Sequence, residues 1–400
     1  MRVTHLITTL SVGGAERMLV KLLRSMDRSH FEPTVIALVD HGPLGDEIRA
    51  LDIPVTSLDL RRGEVSPRAL TRLVTMLRAT RPDLVQSWMY HSNVAASLAR
   101  PWLPRKTGIV WNVRQSLYDI SKERFLTQAV IRSGRVLAPH ADALVNNSRV
   151  SRDQHARIGY VNRRSLVIPN GFEVDRFRPD DEARAAVRAE LALGEDAVAV
   201  GMAARVHPQK DHANFLAAAT AAASVDPRLV FVLAGRDTDR DDGIRAAMRG
   251  PLRGRLRLLG ERGDIPRVLA ALDVFVSSSR WGEGCPNAIG EAMSAGLPVI
   301  GTDIGDTADV VGNCGRIVPA GEPALLADAM LAFAGLAPSA RRLIGEAARE
   351  RIAREFSIES VASRYAALYR EIVDGRRGRR APSAAEDARA TGADARVGRA

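Results

Sequence analysis

Two doubly wound α/β domains facing a central cleft are the architecture this sequence predicts, on three observations. Apolar, strand-like runs alternate with helical segments along nearly the whole chain, the pattern of parallel sheets with crossover helices. The alternation forms two series, separated by the turn word Asn170-Gly171 and a connector over 172–179. At 400 residues the chain is long enough for two domains, each with an ample core.

The first series reads as strands over 3–10, 34–39, 84–88, 109–113, 143–147 and 166–168. Helices fall between them, for example over 14–25 and 67–79. The first helix opens with Gly13-Gly14-Ala15-Glu16-Arg17, where paired glycines let backbone approach a ligand and helix amides can bind phosphate. This is not the G-x-G-x-x-G dinucleotide fingerprint, because residue 11 is Ser and residue 16 is Glu. His91 stands just after a buried strand, and His155 reads as structural.

Charge is unevenly spread over this half. Residues 1–170 hold 25 Lys/Arg and 14 Asp/Glu, so 25 − 14 = +11 lies there out of a total of +10. An anionic partner is implied; aromatics at 4% and the lack of a recognised motif argue against nucleic acid. Over 121–137, Arg124, Arg132 and Arg135 fall along one helical side, with Phe125, Leu126, Val130 and Val136 available for the other. Such a helix suits an anionic membrane surface, and equally a solvated basic face.

The second series begins after a charged helix over 181–191, with strands over 197–202, 229–234, 257–259, 274–278 and 299–301. Arg205 and Lys210 share the loop after its first strand, two fixed cations suited to a diphosphate whose charge grows as it departs. Asp237-Thr238-Asp239 invites a metal reading, but lies in a Gly-Arg-Asp loop, and no metal site is expected. Gly260-Glu261-Arg262 and Asp303-Ile304-Gly305-Asp306 follow later strands of the series.

Between two strand-like runs stands the most informative stretch, Glu283-Gly284-Cys285-Pro286-Asn287, with Glu291 eight positions after Glu283. Pro286 and Asn287 start a short helix, and Gly296 with Pro298 stops it. Glu283 therefore lies in a loop at the helix mouth, and Glu291 about one turn inside. Free amides and the helix dipole make that mouth an anion site, while a carboxylate beside it meets hydroxyl groups. A ligand carrying both phosphates and hydroxyls fits, and a sugar nucleotide has both.

No apolar run approaches the roughly 20 residues needed to cross a bilayer, and no signal-peptide core follows Met1. Two cysteines, Cys285 and Cys314, suit a reducing cytoplasm. An amphipathic segment over 361–373 precedes an Arg-, Ala- and Gly-rich tail over 375–400, expected to be disordered.

These words in this order resemble the E-x7-E signature and the Gly-Gly-Ala-Glu-Arg loop of the family 4 (group 1) retaining glycosyltransferases, which have the GT-B fold. The resemblance runs from Gly13 to about Phe356. It implies an N-terminal acceptor-side domain over 1–175, a nucleotide-sugar-binding domain over 176–360, and a final helix over 361–373 crossing back to the first domain. By resemblance, Arg205 and Lys210 grip the diphosphate, the Gly14 loop meets donor and acceptor, and His91 lies under the transferred sugar. The loop bearing Arg262 brings backbone against the base. Gly284, Cys285, Pro286 and Asn287 border the donor with Glu283 on the sugar ring and Glu291 on the ribose.

The expected activity is metal-independent, retaining transfer of a sugar from a nucleotide-diphosphate sugar, with no cofactor. The acceptor is a glycan or a lipid-linked saccharide of cell-surface polysaccharide or glycolipid synthesis, met in the cytoplasm or on the inner membrane face. With no second carboxylate to act as nucleophile, attack from the leaving-group side is expected. The rivals are a GT-B nucleotide-sugar epimerase and a non-catalytic sugar-nucleotide-binding subunit of a polysaccharide assembly complex.

Overall fold

The computed structural model describes residues 1–61, 64, 66–117, 120 and 125–378. Its first sheet has seven strands: β1 (Arg2–Ile7), β2 (Glu32–Ala37), β3 (Val55–Ser57), β4 (Leu84–Trp88), β5 (Gly108–Val113), β6 (Ala143–Asn146) and β7 (Ser165–Val167). The second has six: β8 (Val198–Ala203), β9 (Leu229–Ala234), β10 (Leu256–Leu258), β11 (Val274–Ser277), β12 (Val299–Thr302) and β13 (Gly315–Val318). Every pairing is parallel. Parallel strands are covered on both faces by their crossover helices, which is why β4 and β5 are buried at every position.

Strand order is β3-β2-β1-β4-β5-β6-β7 in the first sheet and β10-β9-β8-β11-β12-β13 in the second. The winding therefore reverses between β1 and β4, and again between β8 and β11. In such sheets the crevice at the carboxyl ends of those central strands is where ligands bind. Gly14 follows β1, His91 follows β4, Arg205 and Lys210 follow β8, and Glu283 follows β11.

The chain crosses between the sheets at Phe172, whose N–H donates to Phe356 O (2.9 Å) and whose carbonyl accepts from Ile358 N–H (2.9 Å). The last helix, Ile358–Gly378, then returns to the first sheet. Val361, Tyr365, Leu368, Tyr369 and Ile372 are buried in one cluster with Val3, Phe31, Leu84 and Trp88. The return of the expected amphipathic segment is thus driven by burial of its apolar stripe.

Three readings are corrected. The short strands β3 and β13 were not expected; each buries a single residue, Val55 and Val318, and so writes no apolar run. Residues 375–378, expected to begin a disordered tail, are helical instead, with Arg376 paired to Asp142 (2.6 Å) and Arg377 to Asp83 (3.4 Å). Residues 379–400 and Arg124 lie outside the described residues.

Candidate functional site

Glu283 stands in a loop between β11 and the helix Asn287–Ser294. Its side chain is only 12% exposed and accepts from Lys210 Nζ and from Ser279 Oγ (2.8 Å). Its carbonyl accepts from Ser116 Oγ of the first sheet's side (2.7 Å). Gly305, with φ at +63°, packs its backbone against that same carbonyl so closely that a Cβ would not fit. The carboxylate is thus held from the second half of the molecule and the Glu283 backbone from both.

Lys210 closes the turn Pro208–Lys210, and its loop is pinned to the end of β11 because Ser278 Oγ donates to Lys210 O (2.9 Å) and Asp211 O (3.1 Å). Arg205 is solvent-exposed, and its guanidinium has no hydrogen-bond or ion-pair partner among the described residues. One cation is therefore committed to Glu283 and the other is open to an incoming anion.

The helix Asn287–Ser294 has Pro286 at its N-cap, so no side chain satisfies its first-turn N–H groups. The helix Gly14–Ser25 likewise has no side-chain cap. A Cβ on Gly14 would lie 3.7 Å from Asn287 Nδ2, so the two glycine-bearing and helix-opening words oppose each other across the cleft. Gly13 leaves space that the Glu16 carboxylate fills. Gly284 packs against the Asn147 amide, where a Cβ would meet it at 3.0 Å.

Glu291 lies one turn inside its helix and reaches Lys21 of the opposing domain, 3.6 Å away. Burial raises its carboxyl above the ordinary range, and the Lys21 charge opposes that rise. Lys21 also lies over the Phe172 ring. The Cys285 thiol is buried and pushed up to about 12 by desolvation, so its side chain is core and only its backbone faces the site. Arg262 is held by Glu190 (2.6 Å) and Asp264 (2.7 Å), which commits its guanidinium to structure; any contact with a base falls to the backbone of its loop.

His91 opens the helix Met89–Ala99, half-buried, with its imidazole lowered by burial and so neutral near pH 7. It lies at the inner end of a groove of about 510 Å³ in the first domain. His155 is structural: it is buried, its Nδ1 bonds Ser151 O (2.7 Å), and Tyr90 OH bonds its Nε2 (2.7 Å). Asp237 lies within a turn at φ +68°, and Asp239 abuts Gly260.

Sequence reasoning missed a buried relay. Arg114 bonds Tyr365 OH (2.8 Å) and Asn170 Oδ1, and Asn170 Nδ2 donates to Cys285 O (3.0 Å) and Asn287 Oδ1 (2.9 Å). The return helix, the connector and the Glu283–Glu291 segment thus share one hydrogen-bond chain. Asn170 was visible only as a turn residue. The signal for Lys21 was its position as a lone charge within the buried run Met18–Leu23.

Comparison with known proteins gives a consistent result. The family described as "Glycosyl transferase 4-like domain" matches residues 13–171, and that described as "Glycosyl transferases group 1" matches 197–335. A UDP-Gal:α-D-GlcNAc-diphosphoundecaprenol α-1,3-galactosyltransferase of Escherichia coli is 27% identical, over 78% of this chain and 82% of its own. A lipopolysaccharide core mannosyltransferase of Rhizobium meliloti is 32% identical, over 54% and 63%. Among solved structures, Anabaena HepE in complex with UDP superposes with a TM-score of 0.80 at 21% identity, covering 93% of this chain and all of that one. Sucrose-phosphate synthase of Thermosynechococcus elongatus gives 0.74 at 18%, covering 94% and 100%.

Proposed function

We propose retaining sugar transfer from a nucleoside-diphosphate sugar for this chain, which belongs to the group 1 glycosyltransferases and has their GT-B fold. The observation that carries the reading is positional. Gly14, His91, Arg205 with Lys210, and Glu283 each follow one of the four strands that flank the two points where the winding reverses.

The diphosphate would sit between Arg205, Lys210 and the open amides of the helix Asn287–Ser294. It competes with Glu283 for the Lys210 ammonium, and releases Glu283 toward the hydroxyls of the sugar ring. Glu291 takes the ribose hydroxyls, and the loop of Arg262 borders the base. As the bond from the anomeric carbon to the diphosphate oxygen breaks, negative charge accumulates on the diphosphate, where two cations and a helix dipole stabilise it. The acceptor hydroxyl attacks from the same face and gives its proton to the departing phosphate, so configuration is retained. His91 and the Gly14 loop border the acceptor side.

Neither a cofactor nor a metal is needed for charge that fixed cations already balance. The boundary between acceptor-side and donor-side domains is placed at 175/176. The galactosyltransferase relative is named for a diphosphoundecaprenol-linked acceptor, which supports a lipid-linked saccharide and a place on the inner membrane face. The relatives reported above are transferases, which favours transfer over the epimerase and binding-subunit readings.

The experiment is a thermal-shift screen against UDP-, GDP- and ADP-sugars, since donor binding raises apparent stability by mass action. Turnover of the stabilising donor is then followed with EDTA present, and the anomeric configuration of the product is read by NMR. No stabilisation by any donor overturns the transferase reading. Loss of activity in EDTA that Mg²⁺ or Mn²⁺ restores overturns metal independence and points to Asp237 and Asp239, while an inverted product overturns same-face attack.

A further inference from the structure

None of Gly14, Arg205, Lys210, Glu283 and Glu291 lines the groove beside His91. It starts at the carboxyl ends of the first-sheet strands, at Thr8 and Thr9 after β1 and Val39 after β2, and so is continuous with the cleft. Its wall includes the buried Leu58 and Leu73 and the half-buried Leu70 and Val94, and it opens outward where the lining Leu98 and Leu126 are exposed. Its polar groups are His91, Thr8 and Thr9 beside the strand ends, Arg61, Glu64 and Ser66 in the segment after β3, where Arg61 and Glu64 are exposed, and Thr127. A cavity of this size with an apolar wall and a few polar groups has the form of a site for an elongated amphiphile.

The outer end explains which amphiphile. Phe125 and Leu126 stand 77% and 60% exposed there, at the start of the helix Phe125–Leu137. Further along that helix Arg132, Arg135 and Val136 are exposed. The groove therefore opens on a surface that is both apolar and basic, which suits an anionic membrane from which a hydrocarbon chain could enter. The chain's own residues 379–400 are poor in large apolar side chains and supply nothing to fill it.

We infer that this groove binds the hydrocarbon chain of a phosphorylated lipid acceptor, guiding its headgroup to the cleft beside His91. The inference rests on the transferase reading for the identity of the headgroup as acceptor, but chain binding itself is independent of it.

Titration calorimetry on the full chain with farnesyl phosphate, and with methyl phosphate as the probe lacking a chain, tests it. Farnesyl phosphate should bind at least about tenfold more tightly, since each buried methylene adds to affinity. Ala95→Trp, which fills the groove, and Leu98→Glu, which places a charge on its exposed rim, should each remove that advantage. UDP affinity, measured on the same samples, should be unchanged and shows that the variants fold. Equal affinity for the two phosphates, or a chain preference untouched by both variants, overturns the proposal. So does a wild-type dimer that Leu98→Glu dissociates with no farnesyl phosphate binding, which assigns the groove to a second copy. Groove-dependent farnesyl phosphate binding without any UDP binding leaves the groove standing and removes the transferase reading instead.

Discussion

Arg205 and Lys210 carry the same charge in different surroundings, and their variants should differ accordingly. Arg205 is exposed and unpaired among the described residues, so Arg205→Ala should remove the proposed diphosphate contact without disturbing the fold. Calorimetry should show UDP binding weakened by about 1.5–3 kcal/mol, the worth of a charge-assisted hydrogen bond, with the melting temperature unchanged. Lys210→Ala should weaken UDP binding similarly but also destabilise the protein, because it leaves the largely covered Glu283 carboxylate with Ser279 alone. Undiminished UDP affinity in both variants would dismiss the diphosphate assignment. His155 governs a different observable. Burial lowers its pKa from 6.5 to about 4, and its Nδ1–H donates to Ser151 O while Nε2 accepts from Tyr90 OH. Between those pH values the unfolded chain binds a proton that the folded chain refuses. Stability is therefore full above about pH 6.5 and is lost as pH falls toward 4, by about 3 kcal/mol in all from this group. Urea unfolding at several pH values should show that slope, and His155→Gln should flatten it by about one proton's worth; an unchanged slope means that other groups set it.

At the level of elements, the helix Asn287–Ser294 is positioned by contact as much as by its ends. Gly290 presses on the Phe172 ring at the crossing between domains, with no room for a Cβ between them. Gly290→Ala should raise intrinsic helix propensity yet destabilise the protein, because packing overrides propensity here. Displacement of the helix mouth should weaken UDP binding in the same variant. A Gly290→Ala protein with higher stability and wild-type UDP affinity would show that this contact does not position the helix. Much of this element was legible beforehand: Asn287 and Gly296 mark its bounds, and the helix Gly14–Ser25 opens at the paired glycines. What was not legible is what each element touches. Gly290 reads as a helix-weakening glycine until Phe172 is seen against it, and Asn170 reads as a turn until Arg114 and Asn287 are seen on either side. Short strands were lost for another reason, since the three residues of β3 carry a single buried apolar side chain, Val55.

Across the whole molecule, the fold was legible because parallel strands write long apolar runs, and two series of them left one arrangement with a cleft between. The contacts that bridge the cleft were not, since Ser116 to Glu283 and Lys21 to Glu291 join residues from separate domains. Charge is the remaining whole-molecule property. The first 170 residues carry 25 − 14 = +11, and the remainder (57 − 25) − (47 − 14) = −1. Among the described residues no single helix is long and apolar enough to cross a membrane. The helix Phe125–Leu137 offers a surface for attachment, with Arg132 and Arg135 exposed beside Phe125, Leu126 and Val136. At about 1 kcal/mol per basic residue near an anionic bilayer, a handful of such side chains gives reversible attachment, and the apolar ones add to it. The first domain would then face the membrane, placing the groove mouth at the lipid surface and the second domain toward the water. We expect co-sedimentation with vesicles containing phosphatidylglycerol but not with pure phosphatidylcholine. Added salt should release the protein, because charges beyond roughly 10 Å are screened at 0.1 M. Arg132→Glu with Arg135→Glu should abolish the preference while leaving UDP binding intact. Equal sedimentation with both vesicles, or with neither, would make the basic face merely solvated and the acceptor one that is met in water.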